Sequence, residues 1–279
     1  MIAIQRCGDV GEFLGVAGDF LGAREAEHNL LLGICAALQD RPWAADEPPD
    51  FLVARSSGRV VLAAVRTPPY NLVLSEVDEP VAVGALADAV ADLDLPGVVG
   101  PKDHAASFAE HWCRPTGRRP VLAMAERIFR LTTVRPPRMP SGRLRVAGPR
   151  DRAIVIDWVE SFMREALPSD NPPLDHRLVD RRIALGGIYL WDDDGPVSLA
   201  CAHSRTPHGI RIGPVYTPPG LRGRGYASAC VAGVSQAQLD AGLRFVFLFT
   251  DLANPTANHI YQEIGFEPVR DVDAWRFAG

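Results

Sequence analysis

The chain has 279 residues, a formal net charge of −5, 47% apolar and 23% charged residues, so disorder is excluded as its main state and two domains are expected from its length. The net charge is −4 over residues 1–139 and −1 over 140–279, and Lys102 is the only lysine, so neither half offers the basic face of a nucleic-acid binder. Cys7, Cys35, Cys113, Cys201 and Cys230 include no C-x-x-C pair, which argues against a zinc site or a disulfide framework. The longest clean apolar run, residues 30–38, is too short to span a bilayer, and the N-terminus has no basic-then-apolar leader. The expectation is a cytoplasmic protein.

In chain order, Arg24, Glu25, Glu27 and His28 read as the polar face of a long first helix. Strands are expected at 51–55 and 60–65, joined by Ser56-Ser57-Gly58, and at 71–77 after the turn Arg66-Thr67-Pro68-Pro69. Residues 133–142 (T-V-R-P-P-R-M-P-S-G) are Pro-rich and polar, the composition of an interdomain linker. Beyond it, Ile154, Val155, Trp158 and Phe162 recur at helical spacing over 151–165. Strands at 187–191, 197–204 and 210–216 follow, separated by Asp192-Asp193-Asp194-Gly195 and Arg205-Thr206-Pro207-His208. A helix is expected over 226–241, ended by Gly242, and the continuous apolar run 245–250 reads as a buried central strand. Asn254-Pro255 opens a last helix that Gly265 stops, and residues 266–277 supply the closing extended segments.

The two R-T-P turns lie 139 residues apart and the glycine turns before them 137 apart. An internal repeat at half the chain length points to two copies of one fold. The division is 1–132, a linker 133–142, and 143–279.

The most informative stretch is 213–227, G-P-V-Y-T-P-P-G-L-R-G-R-G-Y-A. A strand ends in a Pro-Pro turn, and Arg222-Gly223-Arg224-Gly225 then opens a helix near Tyr226. N–H groups at a helix start lack partners inside the helix, and the helix dipole places positive charge there. Glycines let the backbone approach a phosphate, and two arginines add full charge, so this is an anion seat suited to a pyrophosphate. The dinucleotide fingerprint G-x-G-x-x-G fails at Ser228, and the P-loop fails for want of its lysine. A solvated arginine turn is the remaining alternative from the loop alone.

R-G-R-G-Y-A at 222–227 resembles the [Q/R]-x-x-G-x-[G/A] loop of the GNAT superfamily, the acyl-CoA-dependent N-acyltransferases. The V-Y-T-P-P before it and the N-P-x-x-x-x-x-x-Y-x-x-x-G-F from Asn254 to Phe266 are similar to that family too, and the likeness covers about 144–277. It implies an α/β fold of two tandem GNAT-like domains, each a mixed, splayed sheet with helices on both faces. It implies acetyl-CoA as co-substrate, with its pyrophosphate on Gly223, Arg224, Gly225, Tyr226 and Ala227 beside Arg222. Its pantetheine would lie along Val215, Tyr216 and Thr217, where Pro214 suits only an edge or a bulge. Asn254 and Asn258 would hold the pantetheine side, and Tyr261 would occupy the position of the tyrosine that protonates the departing thiolate.

The acceptor, a primary amine of a small molecule or peptide, must lose a proton. Glu160, Glu165, His203 and Asp251 are the candidate bases, and Glu160 leads by analogy because first helices of this fold border the acceptor cleft. No metal is expected: His104 and His111 have no completing ligand, and Asp192–Gly195 reads as a hairpin turn. In the first half the matching loop is expected at 83–88, V-G-A-L-A-D, preceded by Glu76, Asp78 and Glu79, so that half is expected to bind no CoA. The alternative function is an acyl-CoA-binding regulatory module without turnover. The mildly acidic surface favours a cationic acceptor.

Overall fold

The computed structural model describes residues 1–40, 47–167 and 173–279. The first half runs β1 (Ile2–Cys7), α1 (Val10–Gly22), α2 (Asn29–Asp40), β2 (Asp50–Ser56), β3 (Arg59–Arg66), β4 (Leu72–Leu74), α3 (Val81–Ala89), β5 (Gly97–Pro101), α4 (Lys102–Thr116) and β6 (Arg119–Leu131). The second runs β7 (Arg143–Val146), α5 (Arg152–Ala166), α6 (His176–Ala184), β8 (Ile188–Asp192), β9 (Pro196–Arg205), β10 (Gly209–Tyr216), α7 (Tyr226–Asp240), β11 (Phe245–Asp251), α8 (Pro255–Ile264) and β12 (Glu267–Ala278).

All twelve strands form one sheet in the order β1-β2-β3-β4-β5-β12-β6-β11-β10-β9-β8-β7. The halves repeat each other: β4 and β5 pair in parallel, as do β10 and β11, and every other pairing is antiparallel. The last strand of each half inserts into the other half's side of the sheet. Phe277 of β12 stacks on Trp112 of α4 at 4.6 Å and joins the first-half core. Reciprocally, Phe129 and Leu131 of β6 are buried in the core under α7 and α8. At the central pair, Arg127 grips Asp271 through two bonds of 2.6 and 2.9 Å. Such a fork fixes register as well as adding attraction. The fold is therefore a tandem, mixed α/β arrangement with four apolar layers, two on each half.

Four local expectations are corrected. The long first helix is two helices, because residues 23–28 form a turn between α1 and α2. The polar stretch there is no solvated face: Glu25 is buried and accepts bonds from Thr206 Oγ1, His208 N at 2.8 Å and His208 Nδ1 at 2.8 Å. His28, 1% exposed, bonds the Leu21 carbonyl and receives the Glu76 N–H. The strand expected at 71–77 is confined to Leu72–Leu74, and 83–88 lies inside α3 rather than in a loop. The stretch that precedes α3 holds Glu76, Asp78 and Glu79, which meet Arg270, Arg24 and Arg59 in ion pairs.

The Glu25 contacts tie the α1–α2 turn to the β9–β10 hairpin across the two halves. Replacing Glu25 by Ala orphans the Thr206 hydroxyl and the His208 N–H, and is expected to lower stability by about 1–3 kcal/mol. The urea midpoint reads this; an unchanged midpoint removes the clasp from the account.

Candidate active site

The site begins where two strands part. β10 and β11 pair at Gly209↔Phe245, Ile210↔Val246 and Arg211↔Phe247, and no further. β11 stays straight because β6 holds its other edge from Val246 to Asp251. β10 stays on β9 but shifts register between Ile212 and Val215, so the bulge falls at Gly213-Pro214. A proline has no N–H to offer a ladder, and the extra residue bends the strand outward. Beyond Arg211, one edge of β10, including Val215 and Tyr216, faces a gap rather than a strand.

The loop that closes the gap leads into α7. Gly223 and Gly225 have φ of 75° and 82°, left-handed values that a side chain disfavours. Gly225 occupies the cap position of α7, where no side chain caps the helix. Among the described residues, none of the N–H groups of residues 223–228 has a hydrogen-bond partner. They gather beside the linker, whose Arg138, Met139, Pro140 and Ser141 line one cavity with Gly223, Arg224 and Gly225. An uncapped first turn edged by arginines matches an anion.

The flanking side chains divide the work. Arg222 donates to the Thr217 carbonyl at 2.9 Å and to Glu165 at 2.6 Å, with its guanidinium 5.6 Å from the Tyr216 ring. Tyr216 donates to the other Glu165 oxygen at 2.9 Å. The Arg222 hydrogen bond holds the Glu165 carboxyl below its ordinary range. Glu165 is thus a brace between α5 and the loop, and Arg222 shapes the loop. Arg224 makes a 3.3 Å bond to the Gly220 carbonyl and no ion pair among the described residues, so it is the looser charge. The Tyr226 hydroxyl reaches Asp193 at 2.6 Å, and Ser141 of the linker bonds the same oxygen at 2.7 Å. The Asp192–Gly195 turn therefore anchors both linker and helix. Thr217 is buried and bonded to Ser198 at 2.9 Å, and Ala227 lies in the first turn of α7.

Across the gap, Asn254 caps α8 by accepting the Ala257 N–H at 3.0 Å. Asn258 donates to the carbonyls of Asp251 at 2.9 Å and Asn254 at 2.8 Å, which leaves its Oδ1 buried with no donor. That orphan acceptor suits an amide N–H such as pantetheine offers. Tyr261 packs edge-on to Phe266 at 5.9 Å, and its hydroxyl has no hydrogen-bond partner among the described residues. Burial pushes it up to about 12, so it stays protonated at neutral pH.

On the opposite face the four candidate bases are dispersed. Glu160 bonds His176 at 2.9 Å on an exposed side of α5. Glu165 is committed to Arg222. Asp251 accepts the Ala253 N–H at 2.8 Å. His203 bonds Ser204 at 2.6 Å and is held well below its ordinary range by burial and by Arg182 and Arg211. A fifth group was missed. Glu126 of β6 is the register partner of Asp251 at the mouth of the gap. Burial pushes it up to about 7, with Arg211 opposing and Asp251 reinforcing. Strand alternation was the available signal, since Phe129 and Leu131 point to the α7 core and Glu126, Ile128 and Arg130 to the other face. No group of three or more His, Cys, Asp or Glu that could hold a metal exists among the described residues, and no helix of these is long and apolar enough to cross a membrane.

Residues 153–266 match the family model of the acetyltransferase (GNAT) family. No curated protein matches the chain in sequence. Among solved structures, a GCN5-related N-acetyltransferase from Sphaerobacter thermophilus superposes with TM-score 0.64 at 16% identity, over 99% of this chain and 95% of that one. A GNAT-family acetyltransferase from Colwellia psychrerythraea gives 0.59 at 10% identity, over 99% of both chains. A tandem GNAT protein from the clavulanic acid biosynthesis pathway gives 0.57 at 13% identity, over 100% of this chain and 99% of that one.

Proposed function

We propose, from the match of residues 153–266 to the acetyltransferase (GNAT) family model, that the protein is an N-acetyltransferase carrying an acetyl group from acetyl-CoA to a primary amine. The observation that carries the reading is the gap between β10 and β11, closed at one end by uncapped N–H groups and at the other by Glu126 and Tyr261 on opposite faces. We assign the chain as a cofactor-free segment 1–132, a linker 133–142 and a catalytic segment 143–279, with the terminal strands exchanged between them.

Acetyl-CoA supplies an acyl group on a thioester, already activated for transfer to an amine. Gly223, Arg224, Gly225, Tyr226 and Ala227 receive its pyrophosphate on their N–H groups, and Arg222 holds the loop in shape. Asn258 accepts a pantetheine N–H, with Asn254 fixing the helix start. Val215 and Tyr216 present their N–H groups to opposite edges of β10, so the free edge there offers one N–H donor to the thioester oxygen, typically worth about 3 kcal/mol as charge develops there. Glu126, ionised above about pH 7, takes the proton of the attacking amine directly or through a water. Tyr261 gives its proton to the departing sulfur. In the first half the stretch 83–88 lies inside α3 and has no glycine-arginine loop to seat a pyrophosphate, so CoA binds to the second half alone.

Tyr261→Phe tests the chemistry. It is expected to lower kcat for amine-dependent thiol release by about 10²-fold, with the Kd of CoA within twofold of wild type. Unchanged kcat removes Tyr261 from proton transfer. Saturable CoA binding without thiol release from any amine would instead favour a regulatory acyl-CoA binder.

A further inference from the structure

Alongside the gap, on the face away from α7 and α8, a line of cationic side chains runs from Arg211 of β10 toward the first half. Arg211 lies opposite His203 in register, sits 5.5 Å over the Phe249 ring and donates to Ser204 Oγ at 3.1 Å. Ser204 Oγ in turn meets His203 Nδ1 at 2.6 Å. Past Ser204 opens a cavity of about 330 Å³, lined by α2 of the first half and by α6 and β9 of the second. Arg181, Arg182, Arg205 and His203 line it, and Asp40 is the only carboxylate among its lining residues. Asp40 is 3.8 Å from Arg181. Arg182 and Arg211, both half-buried, have no carboxylate within 4 Å among the described residues.

Arg211 feels the opposing charge of Glu126, whereas Arg182 has no ion-pair partner among the described residues, and a half-buried guanidinium without a counter-ion is unfavourable unless a ligand supplies the charge. The two feel each other: burial, then the Arg182 charge, pulls Arg211 down to about 10. His203 is neutral between them, so it offers no relief and adds no charge. A cavity of this size takes a small molecule rather than a folded protein surface. Phe249 and Ile128 are register partners, with Glu126 two residues further along β6, so the line from Arg211 over Phe249 ends at the base.

We propose that the acceptor is a small amine that also bears an anionic oxygen group, carboxylate or phosphate, held by Arg182 and Arg211 while its amine reaches Glu126. This rests on the acyltransferase reading and reverses the cationic acceptor expected from net charge. It also gives the first half a role, since α2 forms one wall: a Cβ added to Gly33 would stand 2.8 Å from Ser204 Cβ.

The first arm of the test needs no known acceptor. With saturating CoA on the loop, sodium malonate is titrated against wild type, Arg182→Gln and Arg211→Gln at ionic strength held constant with sodium chloride. Malonate is expected to raise the melting temperature of wild type and of neither variant; no response, or an equal response in all three, overturns the proposal. In the second arm, thiol release from acetyl-CoA is measured for each L-amino acid against its amide and for phosphoethanolamine against ethanolamine. At least one anionic member should lead its partner by about tenfold or more in kcat/KM, the scale of one charged hydrogen bond, and Arg182→Gln should collapse that lead. The leading pair tells carboxylate from phosphate, and uniform preference for the neutral members overturns the proposal. Absence of CoA binding by wild type defeats the acyltransferase reading instead, and malonate without CoA then judges the pocket alone.

Discussion

Glu126→Gln is expected to lower kcat by about 10²–10³-fold near pH 7.5 and to abolish the acidic limb of the pH profile. The amide keeps the size of the side chain and removes only its ability to take a proton. Because burial raises Glu126 to about 7, the base form is lost as pH falls through that value, so kcat/KM of wild type should decline below it. The slope belongs to the free enzyme and reaches one decade per pH unit once the group is mostly protonated. Glu160→Gln is the comparison, its carboxylate lying against His176 rather than at the gap. A larger loss at Glu160 than at Glu126 returns the role to α5. An unchanged limb in Glu126→Gln shows that another group titrates there.

Gly225→Val is expected to raise the Kd of acetyl-CoA by about 100-fold or more. Space is not the obstacle, since a Cβ there would meet nothing nearer than 3.8 Å. The obstacle is φ of 82°, which a β-branched residue adopts only at a cost of about 1–2 kcal/mol. The backbone relieves that strain by turning, and turning re-aims the first N–H groups of α7. Losing two charge-assisted hydrogen bonds at about 1.5–3 kcal/mol each accounts for the expected loss of affinity. Gly220→Ala serves as control: its φ is ordinary and nothing lies within 4 Å of the added carbon. Equal affinity in Gly225→Val and wild type would show that the anion does not use this loop.

Much of the second half was legible because its signals are local. Helical spacing located α5 and α7, the apolar run at 245–250 located β11, and Pro214 marked the bulge from its missing N–H. The glycine-arginine loop carried its chemistry in four consecutive residues. What escaped depends on pairing between distant segments. Nothing in the pattern of 119–131 says that β6 crosses into the other half's sheet, so Glu126 was left inside a half expected only to bind no CoA. Glu25 looked like one member of a polar face because its partners, Thr206 and His208, lie about 180 residues away. The matching first-half loop was placed within α3 because a constant offset of 139 ignores the unequal lengths of the two copies. Net charge and the proposed acceptor point in opposite directions, because net charge averages over a surface while Arg182 lines one cavity and Arg211 lies beside Ser204 at its edge.

One acyl-CoA site is expected per chain, where β10 and β11 part. Calorimetric titration of acetyl-CoA into wild type and Gly225→Val measures this directly. One molecule is expected to bind per chain in wild type, with a loss of about 100-fold or more in affinity in the variant. Two molecules per chain, or wild-type affinity in Gly225→Val, would contradict it.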